Sequence, residues 1–196
     1  MQFRALRSLL AQVRAAAPDE TIIIFGSSCL FASFPKDDPN DLGVEVTIDA
    51  DFLIDPDDVE VRKRLSEQFG QNNEYHIKFG YYGDFVDQRI SETFPPEWRK
   101  RLVPFPGFEG VFAIDPVDMA ATKLLVTAGA RLWSRLGRSI RDRGTKEIDN
   151  AAALLATGRI QIETLRERIA TMHLEERLIV ELGKVVEETL AAARMR

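Results

Sequence analysis

The chain has 196 residues, 45% hydrophobic and 29% charged, which is enough for a folded domain with a substantial core and excludes global disorder. Its formal charge of -5 speaks against a protein whose main task is gripping a nucleic-acid backbone. A single cysteine, Cys29, excludes an intramolecular disulfide framework and, with no export signal apparent, points to the cytoplasm.

Taken in chain order, residues 1–17 read as an amphipathic helix. Phe3, Leu6, Leu10 and Val13 recur at helical spacing, while Arg4, Arg7 and Arg14 break the apolar stretch that a secretory signal needs. No later apolar run is long enough to cross a bilayer, so no membrane association is expected. Residues 21–25 read as a buried strand ended by Gly26-Ser27-Ser28, and residues 29–34 as a short helix stopped by Pro35. A polar loop, KDDPNDLG, fills 36–43. Residues 44–54 follow as a second strand, with Val44, Val46, Ile48, Ala50 and Phe52 on one face and Asp49 and Asp51 on the other.

Asp55-Pro56-Asp57-Asp58 supplies capping chemistry for a helix to about Phe69. Further strands are predicted over 75–82 and around Phe85-Val86-Asp87. A short helical segment from Pro95-Pro96-Glu97 to Arg101 precedes an extended stretch over 102–114. Asp115-Pro116-Val117-Asp118 opens a helix carried on by Leu124, Ala128, Leu132 and Leu136. Gly144 interrupts it, and helices are predicted over 146–156, 162–172 and 174–193. Strands before residue 115 and helices after it indicate an α+β protein, with an α/β core over 1–114 and a helical C-terminal part over 115–196 packed on that core.

The pattern with chemical content is strand, Gly-Ser turn, helix, loop, then a strand bearing two aspartates. Gly26 lets the backbone turn sharply and approach a ligand, and nearby amides with the Ser27 or Ser28 hydroxyl can receive a phosphate. Asp49 and Asp51 share a strand face about 6.6 Å apart along the strand. Two carboxylates so placed suit Mg²⁺, which combines a few carboxylates with substrate phosphate oxygens.

Phe25-Gly26-Ser27 followed by Asp49-Ala50-Asp51 resembles the hydrophobic-Gly-Ser and acid-x-acid motifs of the nucleotidyltransferase superfamily. The segments GSSCLFASFP, TIDADFLI, FGYYGDFVD, PPEWRKRLVP and DPVDMAATKL are similar, in the same order, to bacterial nucleotidyltransferase-like proteins related to the minimal and toxin–antitoxin-associated branches. The resemblance implies a nucleotidyltransferase-like mixed β-sheet with flanking helices. It also implies Mg²⁺-dependent transfer of a nucleotidyl group from a nucleoside triphosphate to an acceptor hydroxyl on protein, RNA or a small molecule. Asp49 and Asp51 would ligate the metal. A third acid on a later strand is expected, with Asp87 the first candidate and Asp84 the second. Lys123 and Lys146 fall where similar proteins carry a lysine that reaches the triphosphate, although each also reads as a helix-surface residue. The alternative is a degenerate fold kept as a binding or regulatory module beside a partner protein.

Arg131, Arg135 and Arg138 share a helix face at i, i+4, i+7, which reads first as solvated surface and second as a grip on RNA or an acidic partner. His76 and His173 are isolated, without zinc-ligand spacing. The aromatic cluster Phe79, Tyr81, Tyr82 and Phe85 reads as core.

Overall fold

The computed structural model describes residues 2–37, 43–44, 47–135 and 145–196. The described residues of Met1–Pro39, Val46–Glu92 and Arg99–Asp115 form one compact unit, and those of Asn40–Glu45, Thr93–Trp98 and Pro116–Arg196 form a second. The protein is α+β, with a mixed five-stranded sheet in the first unit.

The first unit opens with helix α1 (Phe3–Ala16), whose Leu6, Leu9, Leu10 and Val13 are all buried, as the helical spacing predicts. Strand β1 (Thr21–Phe25) is almost wholly apolar, and Ile22, Ile23 and Ile24 are fully buried. That composition suits a central strand covered on both faces. A 3₁₀ turn (Gly26–Cys29) and helix α2 (Leu30–Ser33) follow. β2 (Asp49–Asp55) returns antiparallel to β1, pairing Phe25 with Asp51 and Thr21 with Asp55.

β2 is shorter than the predicted strand over 44–54. Val44 is buried outside the sheet and Ile48 is exposed, while Glu45 and Val46 lie outside the described residues, as do residues 38–42 of the polar loop. Pairing with β1 ends at Asp51, where Gly26 turns the chain away just past Phe25, and β2 extends back to Asp49 only along β3, whose first residue, Tyr82, pairs with Asp49.

Helix α3 (Val59–Phe69) starts as expected, with Asp58 accepting from the amides of Glu60 and Val61. The strand expected over 75–82 is instead helix α4 (Glu74–Phe79). Asn73 accepts from the His76 amide at its start, and Gly80, at φ 77°, ends it. Capping at both ends overrides the β-propensity of Tyr75, Ile77 and Phe79; Tyr75 is buried while Ile77 stands exposed. The next strand is β3 (Tyr82–Phe85), which pairs parallel to β2. β4 (Val103–Pro104) and β5 (Val111–Ala113) divide the predicted extended stretch. β5 lies parallel to β1, giving the order β3-β2-β1-β5-β4.

The second unit holds α5 (Pro116–Arg135), α6 (Lys146–Ala156), α7 (Ile162–Ala170) and α8 (Glu176–Arg194). Leu136 and Gly144 lie outside the described residues. Among the described residues, no helix is long and apolar enough to cross a membrane.

Candidate acidic site at the Gly26 turn

The site is built where β1 ends. Gly26 has φ 66°, a left-handed conformation that glycine adopts at little cost. A Cβ at this position would overlap Oδ2 of Asp51 and stand 3.2 Å from its Cγ. The missing side chain is therefore what lets the Asp51 carboxylate lie directly against the turn. Antiparallel pairing of Phe25 with Asp51 delivers that carboxylate to this point.

Asp49 precedes Asp51 by two residues and shares its face. Its carbonyl accepts from the Ser28 hydroxyl at 3.5 Å and the Thr47 hydroxyl at 3.3 Å, tying the start of β2 to the turn. Ser28, 2% exposed, thus shapes the site by linking the turn to the start of β2. Ser27 lies beside it in the same buried turn.

Asp84 is the further acid that the sheet register brings beside Asp49 and Asp51. In the parallel β2–β3 pair, Asp51 faces Asp84 and Asp49 faces Tyr82, so Asp49, Asp51, Asp84 and Tyr82 share one sheet face. Asp84 is solvent-exposed, and desolvation by its surroundings first and the Asp49 charge second raise its pKa above the ordinary carboxylate value. The Tyr82 phenol is raised as well, by burial and then by Asp49, Asp84 and Asp51.

Asp87, the first sequence candidate, does not join them. Asp87 lies past the end of β3 at Phe85, just before the 3₁₀ turn Gln88–Thr93. Asp87 instead accepts from the Arg89 amide at 2.9 Å and from Arg89 Nε at 3.1 Å, with Arg62 3.5 Å away. The Arg89 hydrogen bonds, backbone first, lower its pKa. It sits in an open polar depression with Asp57, Gln88 and Arg99.

Lys123 and Lys146 belong to the second unit. Lys123 forms a largely buried ion pair with Glu147 between α5 and α6, so this ammonium holds two helices together. Lys146 is half-buried at the start of α6. In the arginine row, Arg131 pairs with Glu188 of α8 at 2.8 Å. Arg138 and the side chain of Arg135 lie outside the described residues. The aromatic cluster is mixed rather than uniformly core: Phe85 is buried against Phe52, while Phe79 is exposed and Tyr82 half-exposed.

Among the described residues, no group of three or more His, Cys, Asp or Glu side chains is arranged as a ready-made metal cage. Mg²⁺ does not require one, because one or two carboxylates with water and phosphate oxygens complete its shell. Asp49 and Asp51 fit that need: their donors are hard oxygens, and like-charge repulsion at Asp84 marks a face with excess negative charge. Comparison with protein-family models, curated proteins and solved structures returned no match.

Proposed function

We propose that this protein is a Mg²⁺-dependent nucleotidyltransferase with a nucleotidyltransferase-type sheet, working in the cytoplasm on a nucleoside triphosphate and an acceptor hydroxyl. The observation that carries the reading is the fit of Gly26 against Asp51. A turn able to approach phosphate is joined without intervening side chain to a strand of carboxylates able to hold the accompanying metal. Asp49 and Asp51 are the proposed metal ligands, with Asp84 the third acid. When bound, Mg²⁺ would supply charge neutralisation at the phosphates and lower the pKa of an oxygen nucleophile.

The chain's own groups then have separable tasks. Ser27 and the turn amides orient the triphosphate. Asp84, with its raised pKa, is suited to accept the proton of the incoming hydroxyl at its carboxylate oxygen. The new bond joins that hydroxyl oxygen to the α-phosphorus, and pyrophosphate leaves with the electrons of the broken bond.

The test is incubation of purified protein with each α-labelled nucleoside triphosphate, Mg²⁺ and cell lysate. Label transferred to a macromolecule or small acceptor by wild type, and lost in Asp51→Asn, supports the reading. Mg²⁺-dependent nucleotide binding with no transfer to any acceptor would instead support the binding-module alternative. Absence of both would end the proposal.

A further inference from the structure

Among the described residues, the sheet register sets two aromatic residues beside the acidic face: Phe25, buried opposite Asp51, and Tyr82, half-buried across the β2–β3 gap from Asp49. That gap is about 4.8 Å. Its neighbours Tyr81 and Phe85 are occupied elsewhere, Tyr81 against Tyr75 and Phe85 against Phe52. Tyr82 is only half-buried and packs against the His76 ring, with centroids 4.7 Å apart and planes at 59°.

His76 is itself fixed. Its Nδ1 accepts from the Asn72 amide at 3.0 Å, and its own amide donates to the Asn73 side chain at 3.0 Å. Accepting at Nδ1 leaves the neutral ring its hydrogen at Nε2. An aromatic side chain braced by a second, oriented ring loses little freedom when a flat ligand settles on it.

We infer that Tyr82, backed by His76, is the shelf on which the nucleobase of the bound nucleoside triphosphate stacks, a role that rests on the transferase reading of the Asp49–Asp51 face. A triphosphate held at the carboxylates carries its base one ribose beyond the α-phosphate, and Tyr82 is a half-exposed ring on that same sheet face in the strand next to Asp49. Carboxylates near the phenol do not obstruct this arrangement, because the base meets the ring face while the metal-bound phosphates meet the acids. Every base has a π face, so the shelf supports binding without strong choice among the four.

The experiment uses the full chain and two probes, Mg²⁺ with each nucleoside triphosphate and Mg²⁺ with inorganic tripolyphosphate, measured by calorimetry. Tyr82→Leu keeps an apolar body without an aromatic face. It is expected to weaken all four nucleotides about 5- to 100-fold, while tripolyphosphate affinity is unchanged and Tyr82→Phe binds nucleotides like wild type. His76→Ala should give a smaller loss confined to nucleotides. Equal weakening of both probes in Tyr82→Leu, or of neither, overturns the shelf, as does a loss in Tyr82→Phe matching that in Tyr82→Leu. Wild type that binds both probes while these variants behave in those ways leaves the transferase reading standing. Wild type that binds neither probe removes the transferase reading and the shelf with it.

Discussion

The Asp51 carboxylate lies in the space that a side chain at Gly26 would need. A strand residue and a turn residue distant in sequence thus exclude any third group between them. Gly26→Ala should therefore act twice: φ 66° disfavours an L-residue, at a cost of about 1–2 kcal/mol, and the new methyl displaces the carboxylate. Urea denaturation should show the stability loss, and Mg²⁺–nucleotide binding should fall at least about 10-fold, or 1.4 kcal/mol. Replacing Asp51 with Ala first should make Gly26→Ala less costly, since the collision then disappears. Equal costs in both backgrounds would contradict the packing.

The four aspartates should separate into three and one. Asn at Asp49, Asp51 or Asp84 keeps size but removes charge, and each should lower transfer at least about 100-fold, near 2.7 kcal/mol of barrier. Double replacements at Asp49 and Asp51 should add little, because both serve one assembly. Asp87→Asn should leave transfer within about threefold, an effect of some 0.7 kcal/mol. Steady-state rates on the labelled acceptor decide between this grouping and one that contains Asp87.

Acid–base titration of stability should distinguish Asp84 from Asp87 by sign. The folded pKa of Asp84 is raised, so the folded state holds its proton more tightly than the unfolded chain does. Its unfavourable contribution therefore develops as pH rises from the ordinary carboxylate value through the raised one, and persists above it. Asp84→Asn should remove that decline, and Mg²⁺ should offset it in wild type. Asp87 is lowered, so its contribution is present above the ordinary carboxylate pKa and is lost as pH falls through the folded value. Denaturation midpoints across acidic pH, with and without Mg²⁺, should show the two trends in the Asn variants.

Breaking the Lys123–Glu147 pair should cost stability rather than chemistry. Removing the ammonium in Lys123→Met takes the opposite charge away from a carboxylate that is 7% exposed, a loss of about 3 kcal/mol. The paired change Lys123→Met with Glu147→Leu should recover most of it. Transfer per folded molecule should stay at the wild-type level in both. A selective loss of nucleotide affinity in folded Lys123→Met would return this lysine to the binding site.

Much of the site was written locally. The apolar run ending at Phe25, the Gly26 turn and the Asp49/Asp51 alternation depend on neighbours in sequence, and periodicity reads them directly. Helix starts at Asp58 and at Lys146 were legible for the same reason, since capping and spacing act within one or two turns.

Three features were settled only by the tertiary structure. Asp84 lies beside Asp49 and Asp51 because β3 runs parallel to β2 in a register that sets it opposite Asp51, and register belongs to two strands rather than one. The helix at Glu74–Phe79 prevailed over a β-rich composition because Asn73 and Gly80 cap it, which shifts the start of β3 to Tyr82 and turns Asp84 toward the acids. Lys123 reads as a surface cation along its own helix, and only the approach of α6 supplies the Glu147 carboxylate that engages it. The sequence by itself determined which residues bear charge, where β1 lies and where most helices begin. The pairing of segments distant along the chain decided which of those charges meet, because contact between them depends on the fold's register and not on local spacing.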